Sequence, residues 1–334
     1  MPPTVSVIVP CYNEQATIGL LLDALYAQTY PRAQMEVIIA DGRSTDGTRE
    51  VIAAWQQAHP DLTVRVIDNP QRIIPAALNR ALEAAQGEII VRLDAHAVPA
   101  PDYVARSVAA LRDGRGTNVG GVWEIRPGGK GWVARSIAVA AAHPLGVGDA
   151  RYRYATQPAE VETVPFGAFY RALVDEIGPF DERLLANEDY EFNTRVREAG
   201  GTVWLDPHIK SAYFARPTLR ALARQYWRYG YWKVQMLRRY PHTLRWRQAL
   251  PPLFVLTLLL LALASVVWAW PRVLLGLQVA GYVLALLAAG VHTAFKKRDW
   301  ALAVGVPAAI AVMHLSWGAG FLWGLVHPPN LPDE

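Results

Sequence analysis

The chain is short of several things at once. Among its 334 residues there is a single cysteine, Cys11. One thiol excludes a disulfide framework and any Cys-based zinc site, and it fits a reducing compartment. Charge is scarce as well: 19% of residues are Asp, Glu, Lys or Arg, against 52% hydrophobic. That balance is too apolar for a disordered chain and for an ordinary soluble enzyme of this size. The shortage is concentrated at the C-terminus, where 250–270, 273–295 and 300–326 hold no Asp, Glu, Lys or Arg at all. Each stretch meets the ~20-residue length needed to cross a bilayer as a helix. No basic-then-apolar leader precedes Val5, so secretion is not expected. Nucleotide loops of the common kinds are missing too. No GxGxxG follows a strand-like run, Gly129-Lys130 is followed by Gly131, and Glu124 stands where a P-loop needs its first glycine. A dehydrogenase or a P-loop ATPase is therefore not expected.

The charge that is present is unevenly placed. Arg238, Arg239, Arg245 and Arg247 precede the first apolar stretch, and Lys296, Lys297 and Arg298 separate the second from the third. Only Arg272 lies between the first and second, and the tail ends in Asp333 and Glu334. Positive flanks mark the cytoplasmic side. The expectation is a cytoplasmic N-terminal part, three crossings of the cytoplasmic membrane, and a tail outside. Pro217–Tyr240 interleaves Trp227, Tyr231 and Trp232 with Arg220, Arg224, Arg228, Lys233, Arg238 and Arg239. Basic residues mixed with Trp and Tyr read as a helix in the membrane interface. The rival for this pattern, a nucleic-acid patch, is disfavoured by the membrane stretch that follows at Leu250. Residues 131–142 read either as a second shallow amphipathic segment or as a core helix. The organisation expected is 1–215 catalytic, 216–248 interfacial and 249–334 transmembrane.

The first 250 residues alternate between short β-branched runs and helical periodicity. Val5–Val9, Glu36–Ala40, Thr63–Ile67, Glu88–Leu93 and Val119–Ile125 read as strands. Between them, 15–28, Thr48–Gln57, Pro75–Ala85 and Pro101–Leu111 read as helices. Such alternation predicts an α/β fold with a mainly parallel sheet covered on both faces, its ligand beyond the carboxyl ends of the strands. Polar residues fall at those ends: Pro10, Tyr12, Asn13 and Glu14 after the first strand, Asp41 to Gly47 after the second, and Asp94 and His96 after the fourth. Ser44, Thr45 and Asp46 suit the start of the next helix. Asp41 and Asp94 each end a buried strand directly, where a carboxylate is costly unless it is paired or bound.

At this point the residues resemble a family, the inverting family 2 glycosyltransferases of the GT-A fold. The matching stretches are VSVIVPCYNE (5–14), IIADGRSTDGT (38–48), RLDAHAVPAPDY (92–103), GPFDERLLANEDYEFNTRVREAGG (178–201) and RQYWRYG (224–230). The DAHA variant and the trailing apolar helices are most similar to the exopolysaccharide branch, of the succinoglycan-type glucosyltransferase kind. The resemblance implies a Rossmann-like mixed sheet. It also implies that Pro10, Tyr12, Glu14 and Asp41 hold the uracil and ribose of a UDP-sugar. Asp94 and His96 would stand in the DxD motif that carries a metal and the diphosphate. Asp189, beside Glu188, would be the catalytic base, with Gly167, Phe180 and Asp181 near the acceptor. Gln225, Arg228 and Tyr229 would stand in QxxRW. The chain departs from the pattern twice: Asp-Ala-His lacks the second carboxylate, and Tyr229 replaces the Trp.

The chemistry fits these residue types. Negative charge builds on a departing diphosphate, and a divalent cation neutralises it as a Lewis acid. Mg²⁺ needs only one or two carboxylates plus phosphate oxygens. The imidazole of His96 favours Mn²⁺ over Mg²⁺, with a plain hydrogen-bonding role for His96 as the alternative. His208 reads as a surface histidine rather than a third ligand. An acceptor hydroxyl must lose its proton, which a positioned carboxylate takes as general base. Asp189 opens a helix, where the dipole favours the charged form. Arg228 pairs well with a phosphate. The expected reaction is inverting transfer of a hexose, glucose foremost, from a UDP-sugar to a polyprenyl-diphosphate-linked saccharide. Two rivals stand beside it: transfer to polyprenyl phosphate itself, and a non-catalytic nucleotide-sugar-binding scaffold. Membrane lipid is an expected partner, nucleic acid is not, and a homo-oligomer is compatible with the apolar helices. His314 reads as a neutral side chain bonded to a neighbouring helix.

Overall fold

The computed structural model describes residues 3–329. The end of the tail, with Asp333 and Glu334, lies outside the described residues. Strands are β1 (Val5–Cys11), β2 (Met35–Asp41), β3 (Thr63–Asp68), β4 (Ile89–Arg92), β5 (Val98–Pro99), β6 (Asn118–Pro127), β7 (Ala159–Glu160), β8 (Ala168–Tyr170) and β9 (Val203–Ala215). Helices are α1 (Ile18–Tyr26), α2 (Thr48–Ala58), α3 (Ile74–Ala84), α4 (Tyr103–Arg112), α5 (Trp132–Ala140), α6 (Pro144–Val147), α7 (Ala172–Ile177), α8 (Glu188–Glu198) and α9 (Leu219–Arg239). Three long apolar helices follow: α10 (Trp246–Val267), α11 (Trp270–Lys297) and α12 (Leu302–Val326). All three are long and apolar enough to cross a membrane.

The chain forms two compact units. One comprises residues to Glu124 together with Arg151–Tyr213, and the other comprises Ile125–Ala150 with the chain from Phe214 onward. In the first unit the sheet order is β3-β2-β1-β4-β8-β6-β9-β5, with β7 on β9. The half β3-β2-β1-β4 is parallel, as the alternating pattern predicts. The other half is not: β8 runs antiparallel to β4 and β6, and β5 and β7 run antiparallel to β9. The sheet is therefore mixed rather than mainly parallel. β8 and β9 are not anticipated by periodicity, because β8 has three residues and β9 carries Asp206, Pro207, His208 and Lys210 along its length.

β1 is buried at every position, which explains its unbroken apolar run. Val5, Val7 and Val9 pack with Leu21, Leu22, Leu25 and Ile52 on one face. Ile8 packs with Ala77, Leu78 and Ala81 of α3 on the other. With β2 on one side of β1 and β4 on the other, the strand order reverses at β1. This is the switch point beyond which parallel sheets place their ligands. Cys11, Asp41 and Asp68 lie side by side at the carboxyl ends of β1, β2 and β3.

In the second unit α5 packs on α12 rather than standing apart. A side chain at Gly305 would collide with Ser136 of α5. α9 packs along the C-terminal half of α12, where Gly230 and Gly320 allow two backbones to touch. A Cβ at either would strike the carbonyl of Trp317 or Trp227.

Candidate active site

The loops after β1 and β2 are laced together. Asn13, at φ 55°, accepts a hydrogen bond from the Thr45 amide at 2.8 Å, and its own amide donates to the Ser44 hydroxyl at 2.8 Å. The Glu14 amide donates to Thr48 Oγ1, and the Gly47 amide to Gln15 Oε1. Asp41 has no exposed side chain and is fully paired: it accepts from the Ser44 amide (3.0 Å), the Ser44 hydroxyl (2.5 Å) and Arg49 Nε (2.6 Å). Arg49 also reaches Asp68 at 2.5 Å. Ser44 thus serves Asp41 and Asn13 rather than capping α2. Of the three residues read as helix starters, only Asp46 turns to the helix, accepting from the Thr48 amide. Pro10 lies within β1, and Tyr12 stands exposed just after it, with the Arg72 guanidinium 5.7 Å from its ring centre.

At the end of β4 the side chain of Arg92 is 3% exposed and meets three carboxylates. One guanidinium nitrogen lies 3.0 Å from Asp94 Oδ1 and 3.2 Å from Glu188 Oε1. The other lies 3.0 Å from Asp189 Oδ2. Its remaining face sits 5.0 Å from the Phe166 ring centre. A buried guanidinium is tolerable only with such pairing, and its forked donors suit several carboxylates at once. Phe166 holds φ 69°, an uncommon backbone for a bulky residue, and its amide bonds Asp189. Asn187, just before α8, is left-handed as well, at φ 68°. The backbone is thus bent on both sides of the carboxylate that α8 presents.

Asp189 is not held in its charged form by the helix start alone. Burial pushes its carboxyl well above the ordinary range; the nearby Glu188 and Asp94 charges add to this, and Arg92 opposes it. The first-turn dipole, which by itself favours the charged form, is outweighed here by desolvation. Asp189 Oδ2 pairs with Arg92, and Oδ1 is buried with no hydrogen-bond partner among the described residues, an orphaned acceptor that adds to the cost of charging this carboxyl.

His96 links the two loops. Its Nδ1 lies 3.0 Å from Glu14 Oε1, and its Nε2 lies 3.9 Å from Asp94 Oδ2. A ring that donates from Nδ1 to Glu14 presents Nε2 as the lone-pair nitrogen. Among the described residues no group of three or more His, Cys, Asp and Glu is arranged to hold a metal. A cation here would therefore have two protein donors, Asp94 and His96. An Asp carboxylate and an imidazole nitrogen are a donor set that suits Mn²⁺, with substrate phosphate oxygens as further ligands. His208 is exposed and pairs with Asp206 at 2.8 Å.

In the second unit, Gln225 and Tyr229 lie one turn apart on α9, and Gln225 Nε2 donates to the Tyr229 hydroxyl at 2.9 Å. Arg228 is exposed on the same helix. Sequence reasoning passed over Arg92 and Phe166. For Arg92 a signal existed, a charged residue ending a strand otherwise made of Ile, Ile and Val.

A parallel sheet half that reverses order at β1, extended by antiparallel strands, with Asp94, Glu188 and Asp189 gathered on Arg92 at the end of β4, is the GT-A fold of glycosyltransferases. Residues 6–178 match the family Glycosyl transferase family 2, and the chain belongs to that family. It is 32% identical over 320 residues to succinoglycan biosynthesis protein ExoA of Rhizobium meliloti, covering 94% of this chain and 93% of that one. It is 26% identical over 328 residues to dolichyl N-acetyl-alpha-D-glucosaminyl phosphate 3-beta-D-2,3-diacetamido-2,3-dideoxy-beta-D-glucuronosyltransferase of Methanococcus voltae, covering 96% and 97%. The fold is similar to that of mannosyltransferase PcManGT from Pyrobaculum calidifontis in complex with GDP-Man and Mn²⁺, with TM-score 0.64, 24% identity, and coverage of 97% and 88%. The protein is a glycosyltransferase.

Proposed function

We propose that the protein transfers a hexose, glucose foremost, from a UDP-sugar to a polyprenyl-diphosphate-linked saccharide in exopolysaccharide or cell-surface glycan synthesis. Residues 1–215 do the chemistry on the cytoplasmic side, and the apolar helices hold them at the membrane. The observation that supports this reading is the shared pairing of Asp94 and Asp189 to Arg92, which holds the two carboxylates on one guanidinium. Support for a lipid-linked acceptor comes from the Methanococcus relative, named for a dolichyl phosphate-borne sugar. Support for the polysaccharide setting comes from the Rhizobium relative.

In this mechanism Tyr12, Glu14 and Asp41, with Pro10 behind them, shape the nucleoside end. Asp94 and His96 would hold a divalent cation, Mn²⁺ in preference to Mg²⁺, which when bound would neutralise charge on the diphosphate. The Asp189 carboxylate takes the proton of the acceptor hydroxyl. The acceptor oxygen bonds to the anomeric carbon as the bond to the diphosphate breaks, with the bonding electrons leaving on the diphosphate. Attack opposite the leaving group inverts the centre, so an α-linked donor gives a β-linkage. Glu188 stays on Arg92 and shares its charge. Gln225, Arg228 and Tyr229 serve the diphosphate and acceptor end. A scaffold needs no base, so the built Arg92–Asp189 pair argues against that rival.

The test is a panel of nucleotide sugars with purified full-length protein in detergent. Each donor is offered with a polyprenyl-diphosphate saccharide and with bare polyprenyl phosphate. Transfer from a UDP-hexose to the saccharide is expected. Sugar on bare polyprenyl phosphate would reject the acceptor assignment, and no turnover with any donor would favour the scaffold.

A further inference from the structure

The three apolar helices are not equivalent. Within the second unit, only 11% of the most apolar window of α10 is buried, and the same holds for α11, but 44% of that of α12 is buried. Leu259, Leu263, Val266, Leu277 and Leu284 are all more than half exposed on α10 and α11, a surface that only hydrocarbon covers well. α12 is covered instead by α5, α9 and the other two helices.

The register of the helices shows where the ends of α12 lie. α10 and α11 form an antiparallel hairpin. Arg272 Nε donates to the Ser265 carbonyl near the turn, Gln278 donates to Thr257 Oγ1 at 2.8 Å, and the Phe254 and Tyr282 rings are 4.4 Å apart. Carried onward, this register sets Gly290 opposite Trp246, the first residue of α10. The last two turns of α11 therefore run past the start of α10. Gly290 abuts Pro307 and the Ala303 carbonyl of α12, so α12 begins on the side where α10 begins.

Its other end is tied to the end of α9. Arg238, at the end of α9, donates to the carbonyls of Gly324 (3.2 Å) and Leu325 (3.3 Å). Arg238 and Arg245 are seven residues apart, a span of at most about 25 Å even if fully extended, short of the ~30 Å hydrocarbon layer. The real span is less, because Thr243 folds back to accept from Lys233 Nζ at 3.4 Å. The middle of α12 packs on the first turns of α10 and the facing part of α11: Trp317 Nε1 donates to the Gln248 carbonyl at 3.1 Å, Gly318 abuts Pro251 and Val255, and His314 Nδ1 lies 3.1 Å from the Tyr282 hydroxyl. His314 ties the helix to α6 through the Leu145 carbonyl at 3.0 Å.

We propose that the α10–α11 hairpin alone crosses the bilayer and is the surface that lipid hydrocarbon covers. α12, though apolar enough to cross, lies folded among α5, α9 and the hairpin, and returns the chain to the side of α9. On this proposal the chain crosses twice where the sequence leads one to expect three crossings, and α12 ends on the side of α9. This conclusion is independent of the transfer reaction and of the sugar used.

The experiment places an epitope tag at each end of the full chain in sealed membrane vesicles of known orientation, with protease added outside. The two tags are expected to be cleaved together or protected together, and opposite behaviour would overturn the proposal. A second arm labels Ala269→Cys, at the hairpin turn, with a membrane-impermeant maleimide. Labelling from the side opposite the tags is expected, and labelling from the tags' side would show that the hairpin does not cross. A third arm compares charge insertion. Val304→Arg on α12 is expected to leave membrane yield within about twofold, and Leu263→Arg on α10 to lower it several-fold. Equal losses would contradict the distinction.

Discussion

Asp94 and Asp189, far apart in the chain, are bound to the same guanidinium: Arg92 lies 3.0 Å from an oxygen of each. One carboxylate follows β4 and the other starts α8, so a single buried cation sets their spacing. Three acids surround that one Arg, and the cluster keeps an excess of negative charge, which suits a site that recruits a second cation with its substrate.

Removing Arg92 should be costly for that reason. Arg92→Met leaves buried carboxylates unpaired, a loss of about 3–5 kcal/mol by comparison with other broken buried pairs. Arg92→Lys keeps the charge but not the fork, and is expected to fold better than Arg92→Met while remaining at least tenfold slower in transfer. Denaturant midpoints and turnover measured on both variants check this. A wild-type rate in Arg92→Lys would show that the fork is not needed.

The raised carboxyl of Asp189 gives a pH dependence of definite sign. A base must be ionised to act, so kcat/KM should rise with pH through an apparent pKa well above the usual ~4 of an aspartate. Arg92 is the group that opposes the rise, so Arg92→Lys should shift the midpoint little and Arg92→Met should move it upward. For stability the sign is reversed. The folded value lies above the unfolded one, so the contribution of Asp189 is greatest at low pH and is lost as pH climbs above the unfolded value. A rate flat from pH 5 upward would contradict the assignment.

Asp94→Ala is expected to abolish the part of UDP binding that depends on Mn²⁺, read by calorimetry with and without the metal. His96→Ala should weaken it less, because one carboxylate plus diphosphate oxygens still hold a hard cation. An unchanged Mn²⁺ titration in Asp94→Ala would remove the ligand role.

Arg228→Ala should slow transfer about tenfold or more while the helical content of the protein stays intact, since Arg228 is exposed on α9. A wild-type rate would reduce α9 to an anchor.

Much of this site was legible in the residues. Asp41 and Asp94 stand out because a carboxylate directly after a buried strand calls for a partner, and both have one. Arg92 was not legible. Its partners Glu188 and Asp189 come nearly a hundred residues later, and no local pattern announces a long-range pairing. The left-handed backbone at Phe166 leaves no trace in composition either. In the fold, the parallel strands were readable because burial on both faces makes them uniformly apolar. β9 alternates buried and less buried positions and is broken by polar residues. α12 is the instructive case. Its composition matches that of a membrane crossing, yet what covers it is decided by α5 and α9, which a sequence window does not see.

The most direct measurement is the turnover of Asp189→Asn alongside its affinity for UDP. The substitution keeps the shape and removes the base, so transfer should fall by a factor of about 10²–10⁴ while UDP binding stays within a few-fold. Turnover retained near the wild-type rate would contradict the central claim that Asp189, paired through Arg92 to Asp94, takes the acceptor's proton.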